Sequence, residues 1–534
     1  MTLVGVSIPP LCALAAASIL LALLLRIIYN LYFHPLSRFH GPWYAASFSI
    51  VNATISVFKK EPQWILSLVQ RYGGRSYFIN LQACSVNPLT TEADKPIRIA
   101  PGVLLFPQPA ALKDIYCNPK CDTKTELYGS GVLGPPHIFT TLDSSRHKVL
   151  RKALGGPQWS VGALKRNWES RFDSHIRLFI RQMAEIAEKN EPVILSDKAA
   201  EFAADIMTLV CFSEPWGFVA DKADQRQLLH TWRNGLFAIS FLTRFRWLRD
   251  RVSRAWWGVY LLPSPEDKVG MGYIIGQANK QVTERERRIE DEGYSQEYPD
   301  FMQFCLEARI NGQPLTPSQK RAHISLLIVA GSDTTGTAMG SILRYFMKYP
   351  AVLARVRAEI AAAERAGRLS TPIQYEETRE NLPFFVACMK ETIRLQPSAA
   401  QLFGRVAPAG GTIVDGVWVP PGTDMTAVSY AVQRDPALYA PDPEVYRPER
   451  WLEGEVGGNT KEVISEMEAA NFGFGMGSRV CLGQDVARFE IYKMVPEFVR
   501  RFDFEMKEEG RFVVIGGMGL NEGLVAQLQR REYM

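Results

Sequence analysis

A mainly α-helical protein with a minor β-sheet, preceded by one N-terminal membrane-spanning helix, is the fold class that this sequence predicts. Three observations lead there: an uncharged apolar run at the N-terminus, capped helical patterns through the body, and only three short strand-like pieces. The chain has 534 residues, 47% hydrophobic and 22% charged, ordinary proportions for a protein with a large buried core. Length alone would divide it into about three or four domains. No Gly/Ser linker, repeat or low-complexity tract marks such a division. The expected layout is an anchor over 1–29, a Pro/Gly connector over 30–45 and a single domain over 46–534.

The anchor comes first. Thr2 to Leu25 contain no charged residue, and a bilayer-spanning helix needs ~20 such residues. A cleaved signal peptide would carry its basic residues before the apolar run. Here Arg26, Arg38, Lys59 and Lys60 follow it, and positive flanks stay cytoplasmic. A single-pass anchor with the body in the cytosol is expected. YFHPLSRFHGP (32–42) is punctuated by proline and glycine and cannot continue a helix. Farther on, Thr316 and Gln319 have capping-box spacing, Pro317 stands at the first helical position and Pro350 ends the run. One long helix is predicted between them, with Gly331 to Thr337 inside it as seven consecutive poor helix formers. That stretch reads either as a kink or tight crossing, or as a widened groove presenting an acid and a hydroxyl to a ligand. Further helices are predicted at 351–367, 383–395 and 484–502, and strands at 97–101, 411–420 and 511–516.

Charge and cysteine usage exclude several classes. The formal charge is +5, from 61 basic and 56 acidic residues without a basic run, too mild for a nucleic-acid binder. It leaves room for a local basic face that docks an acidic partner. The eight cysteines are scattered and show no disulfide-framework spacing, which points to a reducing compartment. Cys117 and Cys121 lack the second pair that a zinc site requires and read as structural thiols.

The chemistry concentrates in FGFGMGSRVCLG (472–483), four glycines around one arginine and one cysteine. A thiol nucleophile needs a base, and no histidine lies near Cys481 in sequence. Iron–sulfur clusters need several cysteines. A dinucleotide loop needs a preceding apolar strand and GxGxxG, whereas GFGMGS follows SEMEAANF. A single axial thiolate to heme iron fits better. Gly475, Gly477 and Gly483 remove side chains that would keep the backbone from a flat macrocycle. Backbone N–H groups turned toward the sulfur would moderate its charge, and Phe474 can shield it from water. Ferric iron, the porphyrin dianion and one thiolate leave two propionates to neutralise, and Arg479 is placed to pair with one.

FGMGSRVCLG resembles, at every defining position, the heme-binding loop of the cytochrome P-450 superfamily, Phe-x-x-Gly-x-Arg-x-Cys-x-Gly. Ala330-Gly331-Ser332-Asp333-Thr334-Thr335 is similar to that family's oxygen-groove motif, Lys390-Glu391-Thr392-Ile393-Arg394 to its Glu-x-x-Arg helix, and Pro448-Glu449-Arg450-Trp451 to the segment that completes a triad with it. The resemblance covers roughly residues 30–534 and implies a triangular helical prism enclosing heme b. It implies monooxygenation: one atom of O2 enters a hydrophobic substrate and the other leaves as water. Cys481 becomes the axial ligand, pushing electron density toward the O–O bond, with Thr334 and Asp333 controlling proton delivery. Glu391, Arg394 and Arg450 become a structural triad. His147 and Arg151 resemble the propionate-binding Trp-x-x-x-Arg pair, with histidine in the tryptophan position, and Arg405 resembles a further propionate ligand. Substrate would meet the stretches around Leu127–Ile138, Ile328–Ala330, Ala399–Phe403 and Gly517–Leu520, with Ala330, Ala399, Ala400, Leu402, Phe403 and Leu520 as named candidates.

An anchored member resembles the microsomal class in the endoplasmic reticulum membrane, which takes electrons from NADPH through NADPH–cytochrome reductase, with cytochrome b5 as a second donor. The connector resembles that of filamentous-fungal members, many of which tailor secondary metabolites; those more often carry proline where His40 stands. A larger departure is GRSYFINLQACSVNPLTTEAD (74–94), set between Tyr72-Gly73 and KPIRIAP. It reads as a lengthened loop or a retained intron. Two other activities stay open: a heme-thiolate isomerase or dehydratase that uses no O2, disfavoured by the retention of Asp333 and Thr334, and a membrane-tethered heme-binding protein. The cytosolic orientation predicts that Asn52, in the one sequon Asn52-Ala53-Thr54, carries no glycan, so glycosidase treatment leaves the protein's gel mobility unchanged.

Overall fold

The structure, a computed structural model, describes residues 8–72, 96–128, 136–260, 263–294, 299–400 and 402–531. The 74–94 segment and the middle of 127–138 lie outside the described residues. Ile8–Ile28 form α1. The apolar span runs on through a π-helical turn to Phe33 and is long enough to cross a membrane; it is largely exposed apart from Asn30, which is buried against the body. Within the connector, Leu36 and Phe39 are buried in the core of the body and Trp43–Ser47 form a short helix, so the packed body reaches back well before position 46.

The body is helical because its apolar faces recur at helical spacing and its helix starts are capped. Asp143 caps α2 (Ser144–Leu154) by accepting the N–H of Arg146. The core is built around α3 (Leu195–Phe212), where Leu195 and Ser196 and then every residue from Ala199 to Phe212 is buried. Beside it lies α4 (Leu228–Arg244). The Thr316 capping box and Pro317 open α5 (Pro317–Ala330) as expected.

The predicted long helix is not continuous. It parts at Gly331 (φ −90°, ψ −27°), and α6 runs from Ser332 to Lys348. The physical reason lies in the hydroxyls. Ser332 Oγ donates to the Ile328 carbonyl at 3.1 Å and Thr334 Oγ1 to the Ala330 carbonyl at 2.8 Å, which loosens the helix ladder there. Ser398 Oγ meanwhile donates to the Thr334 carbonyl at 2.7 Å. The groove thus has a bent wall that keeps Asp333 buried and Thr334 half exposed.

Downstream, α7 (Pro383–Leu395) and α8 (Gln484–Arg501) match the predicted helices within a residue. The sheets are small. β1 (Ile97–Ala100) and β2 (Val103–Leu105) are joined by β4 (Arg405–Val406) and β5 (Asp424–Thr426) in the order β1-β2-β5-β4. The pairing of Arg405 with Met425 fixes where that arginine stands. β3 (Val193–Ile194) pairs with β9 (Val525–Arg530), which also pairs with β6 (Phe502–Glu508). β7 (Arg511–Ile515) and β8 (Met518–Glu522) form a hairpin held to α6 by Asn521, whose amide donates to the Thr337 carbonyl at 2.8 Å and Ser341 Oγ at 2.9 Å.

Close packing of α3 against α6 depends on glycine. A Cβ on Gly336 would stand 2.5 Å from the Ala200 Cα, a backbone atom that cannot swing aside, whereas one on Gly331 would meet the flexible Met207 side chain. Gly336→Ala is therefore expected to destabilise the protein by ~1–3 kcal/mol and Gly331→Ala by less, measured as urea unfolding midpoints.

Candidate active site

The cysteine loop hangs from a buried carboxylate. Glu391 on α7 is fully buried and accepts from Arg394 Nε and Nη2 (2.8 Å each), Arg450 Nε (3.0 Å), Trp451 Nε1 (2.9 Å) and the Arg447 N–H (2.9 Å). Despite burial, these donors hold its carboxyl below the usual range. Arg394 also donates to the carbonyls of Gln433 and Pro443. Gln433 makes the connection onward: its Oε1 accepts the Phe472 N–H at 2.8 Å, and its Nε2 donates to the Ile393 and Arg394 carbonyls at 3.2 Å. The three charged residues named from sequence are brought together; Gln433, their link to the loop, had no motif to reveal it.

Within the loop, the Gly475 N–H reaches the Phe472 carbonyl (3.1 Å) and the Cys481 N–H reaches the Phe474 carbonyl (2.9 Å). Gly475 and Gly477 have φ of +74° and +70°, and a Cβ on Gly477 would stand 2.0 Å from the Tyr116 carbonyl oxygen. Gly483 has no such requirement: its φ is −89° and a Cβ would meet no described atom. What it contributes is an N–H to the Cys481 sulfur. Burial pushes the Cys481 thiol up, opposed by that N–H and by the charge of Arg151. Cys481 is nonetheless exposed, because its sulfur opens onto a recess within the surrounding protein. Phe474 is half-buried, with the Arg488 guanidinium 5.1 Å from its ring centre.

Cations crowd around this recess. Arg479 spends its donors on protein: Nε to Asp122 (3.3 Å), Nη1 to the Thr141 carbonyl (2.7 Å) and Nη2 to the Leu142 carbonyl (3.0 Å). Arg151 Nη1 donates to the Val480 carbonyl at 2.7 Å. Arg405 Nη1 donates to Tyr128 Oη at 3.1 Å, while its buried Nε has no partner. His147 is buried with Nδ1 unpartnered, and burial pushes it down to about 3, so it is neutral. Lys124 joins them. It is buried, donates to the Phe139 carbonyl at 2.5 Å, and is held well below the ordinary lysine value by burial and then by Arg405 and Arg479. The carboxylate in this group is Asp122, kept low by Ser478, Ser144 and Arg479 in spite of burial.

On α6, Asp333 is 1% exposed and lies against Arg233 of α4. Arg233 donates to it from Nη2 (2.8 Å) and Nε (3.1 Å), and from Nη1 to Asp197 (3.1 Å). Burial pushes the Asp333 carboxyl up and Arg233 pulls it back. Of the six substrate-side candidates, Ala330, Ala399 and Phe403 are half exposed. Ala400, Leu402 and Leu520 lie in the packed interior, Leu402 beside Ile65, Leu68 and Leu105; apolar character alone does not separate a cavity wall from the core behind it.

A strap, His137–Leu142, ties α5 to the cysteine loop. Its Thr141 and Leu142 carbonyls hold Arg479, and its Ile138 N–H donates to His323 Nε2 of α5 at 3.0 Å. The Nδ1 of His323 lies 2.7 Å from the Gln319 carbonyl and is therefore the protonated nitrogen.

This fold and this site define a family. The cytochrome P450 family model matches residues 124–519. The chain is 30% identical over 491 residues to quiannulatic acid synthase of Emericella variicolor, covering 89% of this chain and 88% of that protein. It is 28% identical to the cytochrome P450 monooxygenase cicH of Emericella nidulans, covering 89% of each. It is 25% identical to pisatin demethylase of Fusarium vanettenii, covering 77% and 76%. The crystal structure of a cytochrome P450 (CYP102L1) superposes with a TM-score of 0.63 at 19% identity, covering 80% of this chain and 89% of that one. The chain belongs to the cytochrome P450 family, with fungal monooxygenases among its relatives, and is an oxygen-incorporating oxidoreductase. The family implies heme and O2, and the residues present fit a heme: a cysteine opening onto a recess, an unpartnered Arg405 Nε and His147 Nδ1, and three arginines with a buried lysine against one carboxylate, suited to two propionates.

His137 and His323 are buried bases, pushed down to about 3 and about 4. Unfolding lets each take up a proton near its ordinary value of about 6.5. Their contribution is therefore fully present above that pH and is lost as pH falls toward the folded values, by ~1.4 kcal/mol per pH unit for each histidine. His323→Gln is expected to make the acid limb of stability against pH shallower by that amount, as read from urea midpoints.

Proposed function

We propose that this protein inserts one oxygen atom from O2 into a hydrophobic small molecule, as a tailoring step in fungal secondary metabolism. The observation that carries this reading is the exposed Cys481 beside buried basic side chains, in a chain that also bears a buried acid next to a hydroxyl on a bent helix. Heme, when bound, supplies oxygen activation and oxygen-atom transfer. Cys481 holds its iron, and Gly483 N–H and Arg151 temper the charge of that thiolate. Lys124, His147, Arg151, Arg405 and Arg479 hold the propionates. Gly475, Gly477 and Phe474 let the loop approach and cover the sulfur. Glu391, Arg394 and Arg450 are the structural triad behind it.

The proton work falls to Asp333 and Thr334. The Thr334 hydroxyl has its hydrogen on the Ala330 carbonyl and leaves its oxygen free to accept. Asp333 is locked by Arg233; rotation of that guanidinium toward Asp197, which it already touches, frees the carboxyl to carry a proton inward from solvent. Both groups argue for oxygen chemistry over an isomerase or dehydratase, which needs no proton relay. Ala330, Ala399 and Phe403 offer an apolar wall to substrate.

The apolar α1 serves as a single-pass anchor in the endoplasmic reticulum membrane, with the domain beyond it cytosolic. Electrons come from NADPH through its cytochrome reductase, with cytochrome b5 as a further donor. Arg146, Lys148 and Lys152 are exposed on the same helix that buries His147, which suits an acidic partner. In reductase-supplemented membranes, the wild type is expected to consume O2 with NADPH and substrate. Cys481→Ala loses the thiolate-type carbon monoxide spectrum. Thr334→Ala keeps that spectrum, but product falls roughly 10²-fold and peroxide accumulates; normal coupling in this variant removes Thr334 from the mechanism.

A further inference from the structure

A second concavity shares none of the residues around Cys481. It is a cavity of about 590 Å³, walled by the turn Phe58 to Lys60, the end of α6 at Arg344, Gln396 just after α7, Arg434, and the start of β7 at Arg511. Five basic side chains line it, counting Lys59, against Glu444 and Glu509. Most of these charges are already spoken for. Arg434 Nε holds Glu444 at 2.9 Å, Lys59 and Arg511 share Glu522 at 2.5 and 3.3 Å, and Lys348 holds Glu509 at 2.7 Å.

Two polar groups in the wall are left over. Arg344 is 3% exposed, and its Nε and Nη2 have no hydrogen-bond partner. Gln396 Oε1 is buried and also without a partner. A guanidinium sunk this deeply is unfavourable until an anion completes it. Lys60 and Arg511 stand exposed around the same cavity. The donors come from three separate elements, so one planar carboxylate cannot meet them all, whereas a tetrahedral anion presents oxygens in several directions. The lone Gln396 oxygen suits the P–O–H of a monoprotonated phosphate.

We propose that this cavity binds a phosphate group, with Arg344 at its base and Lys60 and Arg511 at its entrance. A lipid headgroup and a soluble phosphate ester present the same chemistry here. Phe58, 68% exposed on the turn that carries Lys60, gives an acyl chain apolar surface beside the cavity.

The test uses the full-length, heme-loaded chain in phosphatidylcholine nanodiscs. Inorganic phosphate is titrated at constant ionic strength, and the thermal midpoint is followed. A second arm replaces part of the phosphatidylcholine by phosphatidate. The expected result is a saturable rise in midpoint in at least one arm, with apparent affinity ~10-fold or more weaker in Arg344→Leu. If Arg344→Leu fails to give the carbon monoxide band of the folded protein, the surface pair Lys60→Gln with Arg511→Gln carries the comparison. A response to inorganic phosphate identifies a soluble ligand, and a response to phosphatidate alone identifies a headgroup. No saturable response in either arm, or the same response in wild type and variants, overturns the proposal.

Discussion

Glu391 is the constraint on which the rest of the site depends. A carboxylate removed from water must be repaid by donors, and breaking such a buried pair by removing one partner typically costs about 3–5 kcal/mol. Here the donors come from three places in the chain: Arg394 one turn along α7, Arg450 and Trp451 some sixty positions downstream, and the Arg447 backbone between. Satisfying one side chain therefore pins the 447–451 turn to α7. Gln433 then carries that fixed point to Phe472, so the loop bearing Cys481 inherits its position from a fully buried charge outside the loop.

The opposite wall is organised differently. α6 owes its bend to hydroxyls that turn back on their own helix, and to Ser398 engaging the Thr334 carbonyl. Gly336 lets that helix lie on the backbone of α3, which brings Asp333 within reach of Arg233 on the neighbouring α4. The buried acid is thus tied to a side chain that is only partly enclosed and already shared with Asp197. Such a pair can exchange partners without unpacking the core.

Between the two walls runs the 137–142 strap, which ties α5 through His323 to Arg479 through two carbonyls. Because Arg479 is held by Asp122 and by this strap, the excess positive charge of the recess resides on Arg151 and Arg405, and burial beside them disfavours the charged form of Lys124. The loop arginine expected from sequence to serve a propionate is, in the structure, a joint in the scaffold.

Much of this was legible in the chain. The apolar N-terminal helix, the capping box at Thr316, the helices over 383–395 and 484–501, and the cysteine loop all depend on residues close together in sequence, where composition and spacing carry the physics. Glu391 and Arg394 belong to the same helix turn and could be paired on spacing; Arg450 entered through family resemblance. Lys124, Asp122, Gln433, Arg233 and Ser398 could not be read, because each acts on a partner from 15 to more than 300 positions away, and nothing local distinguishes a buried lysine from a solvated one. The break at Gly331 was half visible: sequence marked the weak formers, but only the side chains packed around them decided that the helix would part. Sequence by itself determined the chemistry available, a single thiol in a bare loop, an acid beside a hydroxyl, and an apolar leader. Tertiary structure decided which charges lose water together, and that shared burial is what gathers basic side chains distant in sequence around Asp122.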